Sequence, residues 1–403
     1  MPGLSTFALT VAVRGGARWE DEARSGWSHL LEHLVFKGAG DMDARQIVER
    51  IEAEGGQINA ATGYERTSFE VRGVKGSLPT AMRVLSDLVF RPRLAPAEIE
   101  REKDVVGQEI AEAFDTPDDH VFEMAQTRAF AAQPLGRPIL GSVASIRTAD
   151  AAAVANWRAT LYAPERMVVV VSGAVDEAEL LALAERWFGE PGSGVTDQPL
   201  AARFVGGHAK LARRIEQANL VFQLPGLAAD DPAAPAMRLF IEILGGGMAS
   251  RLFQSAREER GLAYAIDAYG EGYEDVGVLG IYAGAAADRA DELARVAAAE
   301  VRALAHEGPV AAELDRAKAI LTAGLLMVDE SPASRAGRLA AQTLIFGAPK
   351  SADEQVQAIH AAAADDLRRV AQAMLAPRAT ATAVLGPRAA SGAGRAFEEA
   401  VFA

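Results

Sequence analysis

An α+β fold of two structurally similar halves, each a mainly antiparallel sheet packed against helices, is predicted by two features of the sequence. Along all 403 residues, segments with apolar residues at every second position interchange with segments where they recur every three to four positions. The order of these strands and helices in the first part then resembles their order in the second part. The length also suits two domains, since one domain has about 100–200 residues.

The first half begins with an apolar strand, predicted at 7–14. A helix follows at 27–36 and is stopped by Gly38 and Gly40. Two segments of period two, at 57–61 and 67–72, are typical of paired strands. The other predicted elements are a buried strand at 167–172 and helices at 44–53, 78–90, 96–114, 118–130, 149–161 and 177–188.

A stretch at 189–205 is rich in Gly, Pro, Ser and Asp and lacks periodicity, as linkers do. We therefore predict domains at 1–190 and 207–403, joined by a linker at 191–206. The second half contains predicted strands at 215–224, 264–269, 277–283 and 380–385, and predicted helices at 232–244, 250–260, 288–306, 311–328, 332–345 and 366–375.

The composition excludes several classes of function. A net charge of −14 argues against nucleic acid as a partner, because binding phosphates requires a basic surface. No stretch approaches the roughly 18 uninterrupted apolar residues of a membrane span, so no membrane partner is expected. The N-terminus lacks the basic region and long apolar run of a signal peptide. We therefore expect a cytoplasmic location, with the periplasm open if the true N-terminus is missing.

The segment that carries chemistry is a pair of histidines one helical turn apart. His29, Glu32 and His33 project from one face of the first helix, because residues three and four apart lie on the same side. The chain has no cysteine, so a metal must be held by His, Asp or Glu. Zinc fits this pair best, since it accepts neutral imidazole and carboxylate without a rigid geometric demand.

In a catalytic zinc site, three protein ligands leave one position for water, whose pKa falls to about 7. Glu32 is placed to take the proton from that water as it attacks a carbonyl. The alternative is a surface helix with two solvated histidines, because a five-residue H-x-x-E-H pattern also occurs by chance.

The third ligand is expected on the helix at 96–114. Glu109 flanks the apolar stripe of that helix, and burying its carboxylate would be costly unless a metal pairs with it. Glu102 lies two turns earlier on nearly the same line, where it could orient a ligand or the water. A solvated helix charge is the alternative for Glu102.

These residues resemble the signature of the inverzincin metallopeptidases, which include pitrilysin, insulin-degrading enzyme and the mitochondrial processing peptidase. The family signature is H-x-x-E-H and a glutamate some 76 residues after the second histidine, a distance that leads from His33 to Glu109. The sequence at 100–110 resembles the family's E-R-E-x-x-V-x-x-E-(I/M) helix, with Glu102 on its accessory glutamate.

The resemblance extends to two substrate-binding motifs. Residues 55–60 and 65–67 resemble the family's G-G-x-x-N-A…E-x-T segment, which implies that Asn59 and Ala60 lie on an edge strand that pairs with substrate. Residues 247–253 and 257–264 resemble the motif of the second half. This implies that Arg257 and Tyr264 hold the substrate carbonyl and stabilise the oxyanion.

The chain departs from the family pattern at two places. Family members usually have a further strand before the position of Met1, and its absence would leave a sheet edge unpaired. Trp27 stands before the first histidine, where the family more often has a smaller apolar residue, so we expect its ring to pack beside the site.

The chain is most similar to short bacterial relatives of the processing peptidase β subunit. The resemblance implies a zinc endopeptidase with one Zn²⁺ per chain, which cleaves short or unfolded peptides inside a clamshell formed by two chains. The implied partner is a second copy or a catalytically inactive homologue. The alternative is a non-catalytic subunit that binds peptides or scaffolds an assembly. A different zinc hydrolase that shares H-x-x-E-H by coincidence is disfavoured by the Arg257 and Tyr264 match.

Overall fold

The structure is a computed structural model that describes residues 1, 3–189 and 198–403. Helices and mainly antiparallel sheets make up the chain, which confirms the predicted α+β class. Of the predicted linker, residues 191–197 lie outside the described residues, and 198–206 form neither helix nor strand.

The first part of the chain supplies six strands and eight α-helices in the described residues. The strands are β1 (Thr6–Arg14), β2 (Gly38–Ala39), β3 (Met42–Asp43), β4 (Gln57–Thr62), β5 (Arg66–Val74) and β6 (Met167–Gly173). The helices are α1 (Trp27–Val35), α2 (Ala44–Glu52), α3 (Leu78–Phe90), α4 (Pro96–Asp115), α5 (Pro117–Ala129), α6 (Val143–Arg147), α7 (Ala151–Leu161) and α8 (Glu177–Phe188).

The second part supplies five strands and seven α-helices in the described residues. The strands are β7 (Gly207–Ala212), β8 (Gln217–Gly226), β9 (Ala263–Gly272), β10 (Gly277–Ala286) and β11 (Ala381–Gly386). The helices are α9 (Ala234–Gly245), α10 (Ala290–Glu307), α11 (Ala311–Glu330), α12 (Pro332–Phe346), α13 (Ala352–Ala361), α14 (Ala364–Leu375) and α15 (Ala393–Val401).

Several short elements were not predicted. None of the six residues of β7 is fully buried, and only Ala209 and Leu211 alternate as partly buried apolar residues, which is too short a pattern to predict a strand. In α13 only Ile359 is buried, and the short helices α6 and α15 are likewise absent from the prediction. Within the helix predicted at 250–260, Phe253–Glu258 form a π-helix rather than an α-helix. There the backbone bonds span five residues, as from Glu259 N to Gln254 O at 2.9 Å.

The chain divides into two compact units. Unit 1 comprises residues 1–111, 137–200 and 327–350, and its sheet has the order β4-β5-β1-β6. The central strand β1 is antiparallel to both β5 and β6, and seven of its nine residues are buried. Helices α1 and α3 pack apolar side chains into the same core, among them Leu30, Leu31 and Leu85.

Unit 2 comprises residues 112–136, 201–326 and 351–403. Its sheet has the order β7-β11-β8-β10-β9, in which only β7 and β11 run parallel. Strand β8 is central and carries the same pattern as β1, one exposed residue followed by seven buried ones. Phe222 of β8 stacks on Phe397 of α15 with ring centroids 4.5 Å apart.

Four strands of each sheet follow the same order. In each sheet, an antiparallel hairpin (β4-β5 or β9-β10) pairs with a central strand (β1 or β8), whose other side pairs with a late strand (β6 or β11), and the second sheet adds β7 beyond β11. Two helices, however, do not follow the chain order. Helix α12, from the second part of the sequence, packs on β1 and β6 in unit 1, whereas α5 packs on β8 and β11 in unit 2. The continuous domains at 1–190 and 207–403 stay a prediction.

Candidate metal centre and active site

Helix α1 presents three polar side chains on one face and buries the opposite face. Leu30, Leu31 and Leu34 are at most 1% exposed and anchor the helix in the core of unit 1. His29 and His33 remain half-buried on the other side, with ring centroids 4.6 Å apart. The two imidazoles therefore lie side by side at a surface that solvent and ligands can reach.

Glu109 approaches both imidazoles from α4. Its Oε2 lies 3.8 Å from Nε2 of His29 and 3.6 Å from Nε2 of His33. Val106, one turn earlier, is fully buried and fixes this side of α4 against the core. Among the described residues, His29, His33 and Glu109 form the one group of at least three potential ligands with all donor atoms within 4.8 Å.

The donor set suits a divalent cation. Oε2 of Glu109 is buried from solvent yet accepts no hydrogen bond, and Nδ1 of His29 is also without a hydrogen-bond partner. A buried carboxylate oxygen without a donor is costly unless a cation compensates its charge. Two imidazole nitrogens and one carboxylate oxygen are a ligand set typical of catalytic zinc. The residues present therefore fit a zinc ion.

The environment of His29 keeps its imidazole neutral. Burial, with a smaller contribution from His33, lowers the pKa of His29 to about 4. A metal requires the neutral imidazole, so His29 is ready to bind at physiological pH.

Glu32 lies on the same face of α1 as the two histidines, and its carboxyl group is partly buried. Burial raises the pKa of Glu32, and hydrogen bonds from the side chain and backbone of Thr62 oppose that shift. Its Oε2 is buried and has no hydrogen-bond partner. A carboxylate with a raised pKa and a free oxygen is suited to accept a proton.

Glu102 lies behind His33 and is only 2% exposed, so it is not a solvated helix charge. Its Oε2 lies 3.2 Å from Nδ1 of His33, and its Oε1 lies 2.9 Å from Nζ of Lys37. This contact leaves Nε2 of His33 directed to the side of Glu109, because the two ring nitrogens point in different directions. Lys37 was missed by the sequence analysis, although it follows His33 by one helical turn.

A cavity of about 480 Å³ extends from Glu32 and His33 along the edge strand β4. Asn59 and Ala60 line it, and among the described residues β4 pairs with β5 alone, so its other edge is free there. The further lining residues are Phe36, Lys37, Val48, Glu52, Gln57 and Ile58.

The orientation of the β4 backbone follows from the hairpin. Gly63 N donates to Arg66 O at 2.7 Å, and bonded pairs alternate along an antiparallel ladder. Asn59 therefore bonds to β5, whereas the N–H and C=O of Ala60 face the free edge.

Arg257 and Tyr264 belong to unit 2, and both are exposed. Arg257 lies in the last turn of the π-helix, with its guanidinium carbon 4.7 Å from the centroid of the Phe253 ring. Tyr264, the second residue of β9, is 62% exposed, which is high for a tyrosine on a strand. Both side chains are free to contact a ligand, and their reach toward the metal centre stays a prediction.

Comparison with known proteins defines first the class of fold and then the family. A protease from Helicobacter pylori has a TM-score of 0.88 at 21% identity, covering 95% of both chains. A structure described as a peptidase M16 inactive domain from Pseudomonas fluorescens has a TM-score of 0.86 at 20% identity, covering 96% of this chain and 94% of its own. At such identities the likeness shows the fold of the chain.

Sequence comparisons give the family. The model described as insulinase (peptidase family M16) matches residues 3–143, and that of the peptidase M16 inactive domain matches 148–321. Relatives named uncharacterized zinc proteases occur in Rickettsia bellii, 34% identical over 97% of this chain and 95% of theirs, and in Mycobacterium tuberculosis, 34% identical over 96% and 90%. The chain belongs to peptidase family M16, the insulinase family.

Proposed function

We propose that this chain is a zinc-dependent endopeptidase that cleaves short or unfolded peptides, with Glu32 as the general base. The observation that carries the proposal is the approach of the buried, unpaired Glu109 Oε2 to both histidine Nε2 atoms. The zinc protease names of relatives that match nearly the whole chain support it.

Each polar residue of the site has its own role in metal binding or proton transfer. His29, His33 and Glu109 would hold one Zn²⁺ per chain, which supplies a Lewis acid that polarises a carbonyl and acidifies water. Burial raises the pKa of Glu32, which accepts the proton of the attacking water and delivers it to the leaving amine. Glu102 holds His33 in the tautomer that leaves Nε2 free for the metal.

Peptides would bind along the free edge of β4. An extended chain adds as a further strand through main-chain hydrogen bonds, which place little demand on its sequence. This mode requires a substrate segment without its own secondary structure, which supports short or unfolded peptides as the substrate class. Arg257 and Tyr264 would hold the substrate carbonyl and stabilise the oxyanion.

The assembly is part of the proposal. We propose that two chains enclose a chamber, either as a homodimer or with an inactive homologue, as the resemblance to the processing peptidase implies. The alternative function is that of a non-catalytic peptide-binding or scaffold subunit. The description of an inactive domain for residues 148–321 is compatible with it, but the presence of His29, Glu32, His33 and Glu109 favours the enzyme.

The decisive experiment is to purify the chain alone and measure zinc content and cleavage of an unstructured peptide. We expect about one zinc per chain, and cleavage that stops with a chelator and returns with zinc. A chain that binds zinc but cleaves only after addition of a homologue would indicate the heterodimer. A chain that binds no zinc at micromolar concentration would contradict the proposal.

A further inference from the structure

Glu20 lies outside the metal ligand set but contacts the start of the helix that carries the two histidines. It is only 3% exposed, unusual for a glutamate. Its Oε2 accepts the backbone N–H of Gly26 at 2.8 Å, and its Oε1 accepts that of Ser28 at 2.7 Å. One buried carboxylate thus binds two amides at the N-terminus of α1, and Ser28 directly precedes His29.

The helix needs this contact because its own N-cap residue offers none. The first N–H groups of a helix have no partner within the helix, and a side chain at the N-cap usually accepts one of them. Here the N-cap is Gly26, with φ of 90°. A Cβ at this position would lie 2.4 Å from the carbonyl oxygen of Leu140, so no side chain fits there. Glu20, six residues earlier, supplies the missing acceptor.

The surroundings fix Glu20 and the first turn of α1 to one segment of unit 1. The Arg137 guanidinium donates to the carbonyl oxygen of Glu20. The Trp27 indole Nε1 donates to the carbonyl oxygen of Ser145 at 3.0 Å, and the Ser145 hydroxyl donates to that of Ser25 at 2.6 Å. Residues 137–145 and Glu20 therefore together hold the backbone around the start of α1.

We propose that Glu20 is a positioning residue for the metal centre, which sets the position of α1 along its axis and thereby the direction of the His29 and His33 imidazoles. The inference rests on the proposed zinc site. The geometry of ligands carried by a helix depends on where that helix is placed. Groups that orient metal ligands affect metal affinity about 10–100-fold.

The test compares Glu20→Gln with Glu22→Gln, an exposed acid two residues later that serves as a matched control. Glutamine keeps the shape of Glu20 but replaces one acceptor oxygen by a donor, so one amide loses its partner. Three quantities are measured for each purified full chain: zinc affinity by chelator competition, the absorption spectrum of the Co²⁺-substituted protein, and the far-UV circular dichroism.

We expect Glu20→Gln to bind zinc about tenfold more weakly and to change the Co²⁺ spectrum, with wild-type circular dichroism. Wild-type affinity and spectrum in this variant would overturn the inference. If it does not fold, Glu20→Asp, which keeps the charge but withdraws the oxygens by one methylene, is measured instead, and wild-type values there overturn the inference equally. Absence of zinc binding in the wild-type chain would instead contradict the proposed function.

Discussion

The Oε2 atom of Glu109 lies 3.6 Å from Nε2 of His33, although the two residues belong to different helices. The oxygen is buried and receives no hydrogen bond. In water such an oxygen would be solvated, so its burial without a hydrogen-bond donor has an energetic cost. A cation shared by the three side chains removes that cost, which is why the arrangement supports a metal centre.

Replacing Glu109 by glutamine is expected to abolish tight zinc binding. The amide retains the volume of the side chain but loses the charge that compensates the cation. We expect zinc affinity to fall by more than the roughly 10–100-fold typical of residues that only orient ligands. Chelator competition measures it, and Glu112→Gln, an exposed acid on the same helix, serves as the control. Equal affinity in both variants would remove Glu109 from the ligand set.

Replacing Glu32 by glutamine separates the base from the ligands. The variant is expected to keep its zinc and lose activity by about 10²–10⁴-fold, because the amide cannot accept the proton of the attacking water. Metal analysis and peptide cleavage are measured on the same sample. Cleavage at the wild-type rate would show that Glu32 has another role.

A proline at Ala60 tests the free edge of β4. The backbone N–H of Ala60 faces away from β5. Ala60→Pro therefore removes one hydrogen bond to a bound peptide but leaves the hydrogen bonds between β4 and β5 intact. We expect kcat/KM to fall roughly three- to tenfold, as for the loss of one hydrogen bond, with unchanged zinc content. Asn59→Pro, which interrupts the bond to β5, should instead lower the thermal midpoint. Unchanged kcat/KM in Ala60→Pro would argue against strand addition.

Replacing Arg257 by alanine tests the contribution of unit 2. We expect unchanged zinc content and a loss of roughly 10²–10³-fold in kcat, the effect of removing one oxyanion donor. Arg260→Ala, an exposed arginine three residues later, serves as the control. Loss of zinc from Arg257→Ala would show that Arg257 does more than bind the substrate.

Glu20 should give the folded state a specific pH dependence. Burial raises the pKa of Glu20 from 4.5 to about 7, opposed by hydrogen bonds from Ser28 and Gly26 and by the charge of Arg137. The folded state therefore binds this proton more tightly than the unfolded state. Its stabilising contribution is complete below about pH 4.5 and is lost as pH rises through about 7, a change of about 3 kcal/mol.

Urea unfolding of metal-free wild type and Glu20→Gln between pH 4.5 and 8 measures this contribution. The free energy of unfolding of the wild type, relative to the variant, should fall across that range. A difference that stays constant with pH would show that Glu20 does not titrate between the two states.

Much of the fold could be predicted because its strands and helices are amphipathic or fully apolar. The run at 7–14 became β1, and the hairpin 57–72 became β4 and β5. Strand β7 was not predicted, because none of its six residues is fully buried and its apolar alternation is limited to the partly buried Ala209 and Leu211. The π-helix at Phe253–Glu258 has the same apolar spacing as an α-helix over so short a stretch, so periodicity could not distinguish them.

The sequence by itself determined the face of α1 that carries His29, Glu32 and His33, because helical spacing is a local property. The tertiary structure decided what lies around that face. It brought Glu109 to the imidazoles, buried Glu102 between His33 and Lys37, and placed Glu20 at the start of α1. It also assigned α5 and α12 to units that the chain order does not suggest. These results depend on contacts between distant segments, whose free energy comes from packing that no local pattern encodes.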